Sequence, residues 1–344
     1  MKVSNVGSSS VLQRWGAPII KRLVVYGGLL AILLAWTKYN CWCPGPSRTT
    51  PPEGDLAAMA ARLESDVHHL SVVIGERNVR NRPEKLDVAA DWIRDQWKDQ
   101  GLDPKEYSYE ALGKECRNIE VDFAGPDTGP LIVVGAHYDS PEASPGADDN
   151  GTGIAVLLEI VRALNREPLG VRLRAVAFVN EEPPFFYTET MGSMVYAKMA
   201  KDRKDPIRLM IALETLGFYT EEPKSQDYPW GLGALYPDKG NFVGVVGCLS
   251  GRPDVVKITP LLRSATDVPI ECASLWYKLP GVSLSDHASF WRNGFNAVMI
   301  TDTAMFRNAH YHQLSDQVQT LNFPIFARVT AGIVATLRGL SRVD

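Results

Sequence analysis

The sequence predicts an α/β fold with a mostly parallel central sheet and helices on both faces, and three observations predict it. Short uninterrupted apolar runs, such as LIVV at 131–134 and LMIAL at 209–213, recur along the chain; runs of this kind mark strands buried on both faces. These runs alternate with segments of helical periodicity, which implies crossover connections and parallel pairing. Polar residues follow at once after three of the runs, in VVGAHYDS, AFVNEE and IALE. Ligands of such sheets bind beyond the carboxyl ends of the strands, so His137, Glu181, Glu182 and Glu214 are expected to emerge at one edge.

Residues 23–36 (LVVYGGLLAILLAW) are uncharged and apolar, and Lys21 and Arg22 precede them. A bilayer span needs about 20 residues. Counting from Ala17 reaches that length if Lys21 and Arg22 extend toward the head groups. Trp36, Tyr39 and Trp42 would then form an aromatic belt at the far interface, and the upstream basic residues place the N-terminus inside and the body outside. A cleaved signal peptide is the alternative, although no A-x-A site follows the run. Residues 1–43 are therefore read as a membrane anchor or signal segment. Residues 44–54 (PGPSRTTPPEG) read as a Pro-rich linker, and 55–344 as one folded body.

Within that body, residues 56–74 and 82–100 show helical spacing. In the second of these Leu86, Val88, Ala89, Trp92, Ile93 and Trp97 share a face, and Gly101 stands at the C-cap position. Strands are expected at 119–123, 131–134, 173–179, 209–213, 243–246 and 297–300. Helices are expected at 152–164, near 191–201 and at 325–337.

The net charge is −4, yet the first 50 residues carry Lys2, Arg14, Lys21, Arg22, Lys38 and Arg48 and no acid, which leaves a more acidic body. A body of that sign is unsuited to nucleic acid. The five cysteines, Cys41, Cys43, Cys116, Cys248 and Cys272, form no CxxC pair, so a cysteine-based zinc knuckle is not expected. Buried free thiols are the plainer reading, and the sequence leaves open which cysteines could bridge.

The six histidines include His137, His287, His310 and His312, which lie in or near the motifs that follow. His137 follows a buried strand and a Gly-Ala, with Asp139 two residues on to orient its ring. GADDNGTG at 146–153 is an acidic glycine-rich loop leading into a helix; Asp148 or Asp149 reaches a metal there, or caps the helix. The adjacent Glu181 and Glu182 permit a division in which one binds metal and the other takes a proton from water. Glu214 directly follows a buried strand. His310-Tyr311-His312 lies in a late loop, and Asp286-His287 opens a helix.

Taken together, GAHYDS, GADDNGTG, FVNEEPPFF with MGS following, IALETLGFY, SDHASFW and ITDTAMFRNAHYH resemble, in order, the co-catalytic zinc exopeptidases. That family includes bacterial leucyl aminopeptidases, glutamate carboxypeptidase and the glutaminyl cyclases. NEEPPFF and SDHASFW look most like a bacterial aminopeptidase subgroup, and the resemblance runs from about residue 60 to 340.

The resemblance implies that His137, Asp148, Glu182, Glu214 and His312 hold zinc, with Asp148 bridging two ions and Glu181 as general base. Two zincs per chain are expected, with one possible. It also implies a cis Asp148–Asp149 peptide and a substrate side near Asp286, His287 and Phe290, with Asp139 and Asp149 in support. Two features depart from the pattern: Glu214 stands where many aminopeptidases have Asp, and no Thr-Pro follows His312.

The function implied is a zinc aminopeptidase acting on peptide or aminoacyl substrates, with residues 55–344 as the catalytic domain, anchored in the inner membrane and facing the periplasm or exterior, or else secreted. A single-zinc glutaminyl cyclase-type transferase is an alternative. A carboxypeptidase or dipeptidase is another, for which Arg172, Arg174, Arg292 and Arg307 are the available carboxylate partners. A non-catalytic binding module on the same fold is the fourth.

Overall fold

The computed structural model describes residues 9–342 apart from Trp230, with side chains described from Lys21 onward. Lys2, counted above among the basic residues, lies outside the described residues. The chain opens with α1 (Ser9–Asn40). Its stretch Lys21–Asn40 has a mean hydropathy of 1.3 and is only 6% buried, so by length and composition it can cross a membrane. The comparably apolar C-terminal helix is 61% buried and belongs to the core instead.

The segment expected to be a free linker lies against the body. Cys43 is buried and forms a disulfide with Cys272, which corrects the expectation of free thiols there. The Arg263 guanidinium donates to the Cys43 carbonyl, and the Arg48 N–H donates to the Arg263 carbonyl at 2.8 Å. Tyr39, expected at the membrane interface, has the Arg252 guanidinium 3.9 Å from its ring centre.

Eight strands form one sheet in the order β1-β2-β4-β3-β5-β8-β6-β7. They are β1 (Lys105–Ala111), β2 (Lys114–Ala124), β3 (Leu131–His137), β4 (Arg172–Phe178), β5 (Ile207–Glu214), β6 (Val243–Cys248), β7 (Ile270–Leu275) and β8 (Ala297–Thr301). The four central strands β4, β3, β5 and β8 are parallel. On one flank β2 runs antiparallel to β4 and β1 antiparallel to β2; on the other β6, with its parallel neighbour β7, runs antiparallel to β8. The sheet is therefore mixed, with a parallel centre.

The helices are α2 (Leu56–His68), α3 (Pro83–Asp99), α4 (Gly153–Leu164), α5 (Gly192–Arg203), α6 (Arg252–Ala265), α7 (His287–Arg292) and α8 (Phe323–Leu340). On one face Leu63, Trp97, Leu157, Leu262 and Ile333 carry α2, α3, α4, α6 and α8 into a single core. On the other, Tyr196, Ala200 and Phe290 from α5 and α7 close over Leu131, Phe178 and Met210. Local chemistry sets the helix starts. Asp55 Oδ1 accepts from the Ala58 N–H at 2.9 Å, Asn322 Oδ1 accepts from the Ile325 N–H at 3.2 Å, and Pro83 opens α3. Gly192 lets α5 begin against the end of β4, because a Cβ there would lie 2.1 Å from the Val179 oxygen.

Three elements were not anticipated. Strand β1 (KEYSYEA) and strand β7 (IECASL) are the two edges of the sheet and interleave polar with apolar residues, whereas a continuous apolar run marks only a strand covered on both faces. Helix α6 contains Pro260, which reads as a breaker in sequence.

Candidate metal centre

The parallel centre of the sheet delivers the site. His137 and Glu214 are the last residues of β3 and β5, and Glu181 and Glu182 lie just past the end of β4 at Phe178. Because β4, β3 and β5 are neighbours, the four side chains emerge side by side, as expected. His137 Nε2 lies 3.3 Å from Asp149 Oδ1, 3.4 Å from Glu214 Oε2 and 3.9 Å from Glu181 Oε2. His312 Nε2 lies 3.0 Å from Asp149 Oδ2 and 3.3 Å from Glu182 Oε2. Asp149 thus stands between two groups, His137 with Glu214 on one side and His312 with Glu182 on the other.

That central position had been expected of Asp148, and the structure corrects it by one residue. The Asp148 carboxylate is turned away, accepting from the Gly217 N–H at 3.0 Å and from Asn308 Nδ2 at 2.8 Å. The cis peptide is likewise Asp149–Asn150 rather than Asp148–Asp149. Asp316 fixes the loop, its two carboxylate oxygens accepting from the Asp148 and Asp149 N–H groups at 2.9 and 3.1 Å. Asn150 ties the loop to the sheet by donating to the Leu213 carbonyl at 2.8 Å.

Asp139 does more than orient a ring. Its Oδ1 lies 3.5 Å from His137 Nδ1, and its two oxygens also accept from the Glu181 and Glu182 N–H groups, each at 3.1 Å. One carboxylate therefore registers three site residues from two strands. Sequence reasoning missed Asp316, Asn308, Ser285, which donates to Glu214 Oε2 at 2.7 Å, and the fully buried Arg77. The Arg77 guanidinium donates to the carbonyls of Tyr138, Leu70, Gly75, Pro145 and Gly146. Burial lowers its pKa to about 10 despite Asp139, Asp316 and Asp149 nearby. Ser285 and Asn308 lie inside the SDHASFW and ITDTAMFRNAHYH blocks, but only their neighbours were singled out there; Asp316 stands four residues past His312, and Arg77 lies in no block.

Of the remaining expectations, Asp286 lies near the centre. Burial pushes its carboxyl up to about 7 against the pull of His137, with Glu214 and Asp139 adding to the rise. His287 turns away: it is buried, its Nε2 is 2.8 Å from the Val282 carbonyl, and burial lowers its pKa to about 4. Phe290 is a core residue, 6.0 Å from the Phe178 ring and 6.2 Å from that of Tyr196. An apolar side chain inside α7 fits a core position as well as a substrate wall, and the sequence alone does not separate the two.

The electrostatics are those of an anionic cluster under tension. Burial above all holds Glu181 and Glu182 well above the ordinary carboxylate range and raises Glu214, each with other carboxylates close by. Burial also disfavours charge on Asp149, but hydrogen bonds from His137 and His312 hold it below the usual range. For His137 burial opposes protonation, and Glu181 and Glu214 outweigh it and raise the pKa well above that of a free imidazole.

The residues fit a bound divalent cation. His137 Nε2, Asp149 Oδ2, Glu182 Oε1 and His312 Nε2 are buried without a hydrogen-bond partner, a costly state for polar atoms. Ligand-type atoms of His137, Glu181 and Glu214 lie within 4.8 Å of one another, as do those of His137, Asp149 and Glu182. Imidazole nitrogen and carboxylate oxygen together are a zinc donor set.

Comparison with known proteins points to one family. The family model "Peptidase family M28" matches residues 118–244. The Escherichia coli protein YfbL is 34% identical over 324 residues, covering 92% of this chain and 96% of YfbL. Leucine aminopeptidase 1 of Aspergillus niger is 28% identical over 230 residues; the match spans 61% of this chain but only 52% of the fungal protein. Among solved structures, the zinc aminopeptidase BSAP of Bacillus subtilis superposes with a TM-score of 0.65 at 15% identity, covering 83% of this chain and 96% of BSAP. A glutaminyl cyclase of Porphyromonas gingivalis reaches 0.63 at 19% identity, covering 82% and 98%; at such identities the likeness speaks for the fold. By its extended match to YfbL, its M28 segment and the ordered motifs that build one candidate metal centre, the chain belongs to peptidase family M28, the co-catalytic zinc exopeptidases.

Proposed function

We propose that this metallo-exopeptidase is an aminopeptidase that holds two zinc ions, one with His137, Asp149 and Glu214 and the other with His312, Asp149 and Glu182, and that Glu181 is its general base. The observation that carries the reading is the convergence of buried, unpartnered donor atoms from both groups on Asp149, with Glu181 beside them. Zinc bound there supplies Lewis acidity toward water and a peptide carbonyl. Glu181 accepts the proton of the attacking water and returns it to the leaving amine. A carboxylate with a raised pKa suits both halves of that exchange. Asp139 keeps Glu181 and Glu182 in register through their N–H groups, and Asp286 adds a further acid on the substrate side.

The acidic surroundings favour a substrate with a free α-amine over one with a free carboxylate. The four candidate carboxylate binders have protein partners: Arg172 and Arg174 bond Asp122, Arg292 the Tyr187 carbonyl, and Arg307, through Nε and Nη1 with Nη2 left over, Gln226 and the Phe242 carbonyl. The apolar α1 and the Cys43–Cys272 disulfide support a membrane-anchored enzyme working outside the cytosol, since disulfides persist in oxidising compartments.

Metal analysis of the full-length chain in detergent, with aminoacyl 4-nitroanilides as substrates, tests the proposal. Two zincs per chain and chelator-sensitive release are expected. One zinc with formation of pyroglutamate from N-terminal glutamine would replace this reading with that of a cyclase. Glu181→Gln is expected to retain its metal and lose turnover by about 10²- to 10⁴-fold; full activity in that variant would remove Glu181 as the base.

A further inference from the structure

Beside the metal centre the sheet carries a second arrangement that the reaction does not use. Glu214 at the end of β5 pairs in register with Thr301 of β8, Thr301 pairs with Gly244 of β6, and Gly244 pairs with Glu271 of β7. Residues paired in register project from the same face of a sheet. The row therefore runs from a site carboxylate to a second carboxylate three strands away, about 14 Å across at the usual strand spacing. Between the two stand a small side chain and no side chain at all.

A cavity of ≈ 110 Å³ lies along this row and touches all four residues. The rest of its wall is mostly apolar, with Leu232, Phe242, Leu275, Val282, Met299 and Phe306 beside the side chains of Tyr228, Tyr236, Thr303 and Tyr311. The Glu271 carboxylate at the far end is half-buried, and the hydroxyls of Tyr228 and Tyr236 on the same wall are committed elsewhere. The Tyr228 O–H donates to the Pro237 carbonyl at 2.5 Å and the Tyr236 O–H to the Cys272 carbonyl at 2.7 Å. Arg263 exerts a long-range pull on Glu271, but its guanidinium is spent on the carbonyls of Ile270 and Cys43. Burial raises the Glu271 pKa, as expected of a carboxylate short of counter-charge.

We infer that this cavity receives the side chain of the substrate's N-terminal residue, and that Glu271 selects lysine and arginine there by pairing with the cation at the end of their long apolar stems. The inference rests on the aminopeptidase reading and deepens it. Lysine and arginine alone combine a stem able to lie along apolar walls with a cation at its tip. Gly244 keeps the passage open: a Cβ there would lie 3.6 Å from the Thr301 oxygen and 3.7 Å from a Val246 methyl, so the strand has room for a side chain that would narrow the cavity.

The test compares lysyl, norleucyl and alanyl 4-nitroanilides on the full chain in detergent. Norleucine keeps the stem and lacks the cation. Wild type should prefer lysine to norleucine in kcat/KM by at least about tenfold, the scale of one charge-assisted hydrogen bond. In Glu271→Gln that ratio should fall by about the same factor. In Gly244→Val the lysyl-to-alanyl ratio should fall as the passage narrows. Calorimetric titration with lysinamide and norleucinamide gives the same comparison without turnover. Norleucine cleaved and bound as well as lysine, with the ratio unmoved in Glu271→Gln, overturns the inference and leaves the aminopeptidase standing. No cleavage of any of the three overturns both.

Discussion

Asp148 and Asp149 are neighbours in one loop, both buried and both acidic, and only one faces the metal centre. What decides between them is remote in sequence. Asn308 and the Gly217 N–H draw Asp148 away, and Asp316 grips the two N–H groups so that Asp149 faces the imidazoles. The motif was therefore legible but not its register, because a side chain's direction at a given position belongs to partners about 70 and 160 residues away. Asp149→Asn should lower zinc affinity by more than about a hundredfold, and Asp148→Asn by about tenfold, the usual cost of disturbing a group that supports a ligand. Competition with a chromogenic chelator measures both, and equal losses would overturn the assignment. His137, Glu182, Glu214 and His312 were readable for a simpler reason: each is tied to a strand end or a motif that fixes its direction.

Among the elements, legibility followed burial. The central strands β3, β4, β5 and β8 announce themselves as apolar runs because both of their faces are covered. The edge strands β1 and β7 carry a mixed pattern that resembles a loop, and Pro260 obscures α6. The disulfide joining the end of the N-terminal segment to β7 was invisible too, since Cys43 and Cys272 are 229 positions apart and pairing is a property of the folded chain. A cross-link over so long a loop restricts the unfolded chain strongly. The double variant Cys43→Ser, Cys272→Ser should lose about 2–4 kcal/mol of stability, measurable as a lower urea midpoint. An unchanged midpoint would mean that the bond contributes nothing to the fold.

For the molecule as a whole, the buried carboxylates make stability and metal content interdependent. Glu181, Glu182 and Glu214 hold protons more tightly in the metal-free fold than in an unfolded chain. Their contribution is thus fully present below the unfolded carboxylate pKa of about 4.3 and is lost as pH rises through the raised folded values. On the proposed ligation zinc would displace the protons of Glu182 and Glu214, so its stabilisation should grow with pH. The gap in Tm between zinc-loaded and chelated protein should narrow as pH falls from about 8 to about 5.5; a constant gap, read by differential scanning fluorimetry, would contradict this coupling. The strap at the N-terminus has its own consequence. Helix α1 ends at Asn40, and the chain is pinned at Cys43 to the strand that carries Glu271. Were α1 embedded in lipid, that leash would leave almost no slack, and the catalytic mouth would ride at a fixed altitude above the bilayer and graze only on chain ends that come down to meet it.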